Sequence, residues 1–341
     1  MRGLQHMACL LLAWLPLVAL AQQYELKPLS TDTKTSIRGL AVVNQEVIWV
    51  SGSNGYVGKS VDAGKTWKWT QPSGYEKLDF RSIQAFSADK AIVVNAGSPA
   101  YVLLTDDGGK TWSERYKNVD TAIFLDGMDF WDDRRGMIFG DPIENKMQLL
   151  LTENGGETWK NVNDRLKTDL KKGEAGFAAS GTTIRTHASG KTWIATGGTH
   201  ANVYYSSNFG KRWRVFPCPI LQGQNSTGVF SMDFFDDQHG VVVGGDYLKD
   251  KESSNNMLYT TNGGKTWLKP SQSVAGYRSG VTYVTKDFLV ATGTSGTDVS
   301  RDGGKHWVNI SKLSFNAVKS ADGLIILAGG KGQVYELKLK N

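Results

Sequence analysis

The chain has 341 residues, 40% of them apolar, and 39 Lys and Arg stand against 33 Asp and Glu. That length buries a large core without covalent staples, and a balance of +6 spread along the sequence permits attraction to acidic surfaces without specifying nucleic acid. Two cysteines, and no zinc signature, P-loop or dinucleotide glycine fingerprint, leave a disulfide scaffold or a nucleotide or redox enzyme without local support, so no cofactor and no metal are expected.

Residues 1–21 begin with Arg2, carry an apolar run from Met7 to Leu20 and end in Ala19-Leu20-Ala21. This is the pattern of a cleaved secretory signal, so the chain is expected to be exported, to the periplasm or beyond, with no membrane segment after cleavage. Cleavage removes Cys9 and leaves Cys218 as the one mature cysteine; a monomer is favoured.

Beyond residue 22 the sequence repeats itself. The pattern Ser/Thr-x-Asp/Asn-x-Gly-x-x-Trp runs at 60–67, 105–112, 152–159, 206–213, 260–267 and 300–307, with its tryptophans 45, 47, 54, 54 and 40 residues apart. Units of this period cannot bury their own apolar faces and must stack or close. Within each copy the Ser/Thr and Asp/Asn side chains are placed to bond their own turn, Gly permits a positive φ, and Trp anchors the next strand. Inner strands are expected to begin near Ile37, Phe80, Phe124, Gly176, Val229, Tyr277 and Phe315, which makes seven units. The seventh has three strands and no copy of the turn, and residues 24–29 are left over to supply its outer strand. The fold class is therefore all-β: one domain from residue 22 to 341, a seven-bladed β-propeller of four-stranded blades closed by the N-terminal strand. The stretch 186–193 ends in Gly-Lys-Thr-Trp but has Ala188 at the Asp position, and reads as the turn between the first two strands of blade 4.

Propeller geometry sends the Trp turns to one face and the longer loops, at 71–79, 140–146, 160–175, 217–228 and 245–256, to the other, where ligands usually sit. Arg38, Arg81 and Arg278 share a context there: Ile-Arg-Gly, Phe-Arg-Ser and Tyr-Arg-Ser at the start of an inner strand. Three guanidinium forks around one channel mouth would hold carboxylate, sulfate or phosphate oxygens, unless each is neutralised by an acid such as Asp126, Asp129 or Glu174. Asp126, Asp141, His200 and Asp246 complete the candidate ligand site, and the expected partner is a protein, an acidic glycan or a small anion rather than nucleic acid.

The repeated turn is identified as the Asp-box, or bacterial neuraminidase repeat. The wider blade pattern, in Met128-Asp129-Phe130-Trp131-Asp132-Asp133 with Gly136 and Gly140, and again in Met232-Asp233-Phe234-Phe235-Asp236-Asp237 with Gly240 and Gly244, resembles the photosystem II assembly-factor-like propellers. That resemblance implies a binding or assembly module that uses an arginine-rich surface to hold a protein. The alternative is a carbohydrate-active hydrolase or lyase of the sialidase kind, which implies six blades, an arginine triad, a Tyr nucleophile assisted by Glu and an Asp acid/base. Tyr277 and Glu174 are the nearest candidates for that Tyr/Glu pair.

Overall fold

The computed structural model describes residues 24–29 and 31–340. The expected signal segment, with Cys9, lies outside them. Among the described residues there is no α-helix, only 3-10 turns at Asn163–Arg165 and Gly330–Gly332, and no helix is long and apolar enough to cross a membrane.

Seven antiparallel sheets stand around an axis. Blade 1 is Ile37–Val42, Ile48–Gly52, Val57–Ser60 and Lys68–Thr70, paired in that order. Blades 2, 3 and 6 repeat it from inner strands Phe80–Ala85, Leu125–Phe130 and Gly280–Tyr283. Blade 5, from Thr227–Phe234, reduces its outermost strand to a bridge between Tyr259 and Leu268. Blade 7 is closed as expected: Tyr24–Leu29 pairs antiparallel with Val334–Leu339, from Tyr24 opposite Leu339 to Leu29 opposite Val334. Joining the chain's two ends in one sheet removes the exposed edge that would otherwise invite pairing with another chain.

Second strands such as Ile48–Gly52, Ala91–Asn95 and Leu324–Ala328 are buried throughout, because each is covered by the neighbouring blade on either side. Trp49, Trp193 and Trp307 are among the largest fully buried side chains, and they fill the joints between blades. The Asp-box turns hold themselves as the sequence suggests. In the second, the Asp107 carboxylate accepts from the Thr111 amide at 2.9 Å and its hydroxyl at 2.7 Å, the Thr105 hydroxyl accepts from the Gly109 amide at 2.9 Å, and Gly109 sits at φ 81°.

Blade 4 departs from expectation. Its inner strand is Ile184–Thr186, not a strand starting at Gly176, and it is three residues long. The preceding residues, 174–183, leave the blade and cross the bore. Glu174–Ala175 pairs with Gly197–Gly198, which is bridged in turn to Gly228 of blade 5. Ser180 then donates to the Ser279 carbonyl at 2.6 Å, and Thr182 shares a 2.7 Å bond with Ser231. Gly181 packs against Ser82 and the Arg81 carbonyl, where a Cβ would have no room. This crossing segment divides the channel into a mouth on the loop side and a chamber on the Asp-box side. The segment 140–146 also differs from an irregular loop: it is a continuous hairpin, Gly136–Ile143 with Lys146–Thr152, turning at Glu144 and Asn145.

Candidate functional site at the channel mouth

The mouth is a cavity of about 530 Å³. Its wall is a ring of equivalent inner-strand positions, Arg38, Arg81, Asp126, Phe230, Ser279 and Asn316, floored by residues 175–179 of the crossing segment. The β-bulges of blades 1, 2, 3 and 5 fall at this level, between Ile37 and Gly39, Phe80 and Ser82, Leu125 and Gly127, and Val229 and Ser231. A bulge re-aims the side chain it releases, and here that side chain faces the axis.

Arg38 and Arg81 are therefore brought together as expected. Arg38 donates to the Ala179 carbonyl at 3.0 Å, and Arg81 reaches toward that of Ala178 at 3.5 Å, so both arginines grip the crossing segment. Arg81 is paired with Asp79 at 2.7 Å. No carboxylate among the described residues lies within ion-pair distance of Arg38, whose pKa is lowered by burial and then by the neighbouring Arg81 charge. It is a half-buried cation with spare donors facing the cavity.

Arg278 does not join them. It is completely buried; Nε and Nη2 bind the buried Asp298 carboxylate, and Nη1 donates to the Tyr277 carbonyl and the Ser295 hydroxyl, each at 2.7 Å. The reason is register. Gly280 pairs with Thr292 as Gly39 pairs with Ser51, so Ser279, not Arg278, occupies the position equivalent to Arg38. One residue of slip turns a strand side chain to the opposite face.

Asp126 and Asp141 both line the cavity. Asp126 is fully buried, and burial first, then the Asp141 carboxylate, push its pKa well above the usual range. With both acids ionised, neither Asp126 oxygen has a donor. Protonated, Asp126 bonds Asp141, which also accepts from the Gly176 amide at 2.8 Å and is itself raised by burial. Asp141 ties down the start of the crossing segment through that Gly176 amide.

His200 and Asp246 stand away from the cavity. His200 is exposed, with Nδ1 3.1 Å from the Thr199 hydroxyl, and Asp246 is buried, capping its own loop by accepting from the Leu248 amide at 3.0 Å. Glu174 is buried and fully used: Oε1 accepts from the hydroxyls of Thr196 and Tyr204 and the amide of Asn202, at 2.6, 2.8 and 3.0 Å, and Oε2 from the Lys171 amide. This Tyr204–Glu174 pair lies in the body of blade 4, and Tyr204 is 1% exposed. Tyr277, the expected partner of Glu174, lies instead on the cavity wall against Phe230.

Sequence reasoning missed the apolar half of the mouth. Phe177 stacks on Phe230 at 3.9 Å, Phe230 meets Tyr277 and Tyr247 edge to face, and Tyr247 is 48% exposed beside Leu248 at 73%. The signal for Phe230 was its place one residue after Val229, equivalent to Arg38 after Ile37.

The BNR/Asp-box repeat family matches residues 103–114. No curated protein sequence matches the chain. Among solved structures it is similar to YCF48 bound to D1 peptide, at 15% identity over 94% of this chain and 97% of that one, with a TM-score of 0.66. Virginiamycin B lyase from Staphylococcus aureus aligns at 11% identity over 93% and 100%, with a TM-score of 0.68. The GH74 xyloglucanase from Xanthomonas campestris aligns at 15% over 92% of this chain and 53% of the enzyme, with a TM-score of 0.62. The chain is a seven-bladed β-propeller that carries a BNR/Asp-box repeat. The same scaffold carries peptide binding in one of these proteins and enzymes in the others, so function rests on the site.

Proposed function

We propose that the chain is an exported binding or assembly module of the photosystem II assembly-factor-like kind, which takes a carboxylate-bearing segment of a protein partner at the channel mouth. The observation that carries this reading is Arg38: a cation without a paired acid, beside Arg81, on a wall whose other half is aromatic. Such a mouth offers donors for a carboxylate and an apolar surface for the side chain next to it. The peptide on the similar YCF48 propeller supports a protein partner over a free anion. A glycosidase has less support here, because Asp126 and Asp141 stand side by side on neighbouring strands of blade 3 and do not face each other across the cavity.

The test is calorimetry of the mature protein against peptides with acidic side chains or a free C-terminus, with sulfated and acidic sugars as competitors. Arg38→Ala and Arg81→Ala should each weaken peptide binding by about 1.5–3 kcal/mol. Tight binding of the sugars with turnover, or peptide binding indifferent to both variants, would overturn the reading.

A further inference from the structure

The chamber on the Asp-box side of the crossing segment has a chemistry of its own. It encloses about 390 Å³, within the range of small-molecule sites. Its wall is the inner-strand ring one layer further along the axis, where Gln84, Asp129, Arg185, Asp233, Thr282 and Lys319 occupy equivalent positions.

Four of these are ionic, and their charges cancel. Arg185 lies between the two aspartates, with Nε 2.8 Å from Asp233 and Nη1 3.5 Å from Asp129. Asp233 is also occupied by the amides of Phe234 and Tyr283, at 2.9 and 2.8 Å. Two of the four ionic groups remain open among the described residues. Asp129 accepts the Thr186 amide and Arg185 on Oδ2 only, which leaves Oδ1 without a donor. Lys319 has no hydrogen bond or ion pair at all; part of its surface still meets the bore, but protein crowds it closely enough that desolvation, and then the Arg185 charge, bring its amine down to about 8. At the rim, Phe235 and Tyr283 lie 5.8 Å apart, and Phe235 is 45% exposed.

We propose that this chamber is a second ligand site, which takes an uncharged polyhydroxylated molecule of saccharide size. A chamber of zero net charge gives no advantage to an anion or a cation. Among its ionic groups it offers one open donor and one open acceptor, beside an aromatic rim. Adjacent sugar hydroxyls meet the first two at once, since each both donates and accepts, and the C–H face of the ring packs on Phe235. The site is independent of the mouth, because residues 177–182 stand between them.

Calorimetry and thermal shift with glucose, galactose and N-acetylglucosamine test this, with glucuronate, glycine and glutamate as charged and zwitterionic comparisons. A neutral sugar should bind, and Lys319→Met and Asp129→Asn should each weaken it roughly tenfold. Phe235→Ala, at an exposed position that leaves the core untouched, should weaken it by a smaller factor. His200→Ala, at an exposed position away from both cavities, should leave sugar binding unchanged. No binding by any neutral sugar, preference for the amino acids or the uronate, or a loss caused by His200→Ala but not by Lys319→Met would overturn the proposal.

Discussion

The two ends of the bore are built from the same strands one layer apart, yet their arginines do opposite things. At the Asp-box end Arg185 is consumed by Asp129 and Asp233; at the mouth Arg38 faces the cavity with no acid of its own. Arg278 sharpens the contrast, because it sits in nearly the same tripeptide context as Arg81 and is spent on Asp298, the Tyr277 carbonyl and the Ser295 hydroxyl. Availability of a cation is thus set by register and by the nearest carboxylate, not by local sequence. Similar motifs in a repeat protein carry different chemistry once a single residue of offset intervenes.

The largest expected effect tests the buried arginine. Arg278→Ala leaves Asp298 as an uncompensated buried charge and should cost about 3–5 kcal/mol in denaturant unfolding, whereas Arg38→Ala, which breaks one bond to the Ala179 carbonyl, should cost about 1 kcal/mol or less. Equal losses would erase the distinction between a structural and a free arginine.

A smaller effect probes the raised Asp126 carboxyl at the mouth. The Asp126 pKa is raised in the folded state, so its contribution is fully present below the unfolded carboxyl value near 4 and is lost as pH rises through the folded value. Asp126→Asn keeps a donor for Asp141 without that dependence. It should raise the melting temperature at pH 7 relative to wild type and make little difference at pH 4. A variant less stable than wild type at pH 7 would mean that Asp126 is not held by a proton.

The smallest effect lies in the Asp-box turns, away from either ligand end. Hydrogen bonds donated by the hydroxyl and the amide of Thr66, and by the Ser60 hydroxyl, hold the Asp62 carboxyl down to about 2. That stability is present above the unfolded value near 4 and is lost as pH falls toward 2. Asn154 makes the equivalent bonds in blade 3, accepting from the Thr158 amide and donating to its hydroxyl, each at 3.0 Å. Asp62→Asn should therefore leave stability at pH 7 almost unchanged and make the acid limb of the melting profile shallower; an unchanged acid limb would remove Asp62 from the account of acid unfolding.

The scaffold was legible because its turns are self-contained: Thr105, Asp107, Gly109 and Thr111 satisfy one another within a few residues, and the six copies mark six of the seven blades. The closing strand was legible by elimination, since Tyr24–Leu29 had no unit of its own and the last blade lacked an edge. The crossing segment was not, because its partners, Ser279, Ser231 and Arg38, are 99, 49 and 141 residues away along the chain. Arg38 and Arg81 were found from their place after an apolar strand-opening residue. Arg278 passed the same test and failed in space, because strand register depends on pairing with Thr292 that no tripeptide encodes.

The central claim, that a partner docks at the mouth through Arg38 and Arg81, is tested most directly by amide hydrogen exchange with and without a bound acidic peptide. Protection should rise in residues 175–179 and in the loops around Asn225 and Tyr247, and this pattern should vanish in Arg38→Ala. Protection confined to the Asp-box turns or to the outer strands, or an unchanged pattern in Arg38→Ala, would contradict it.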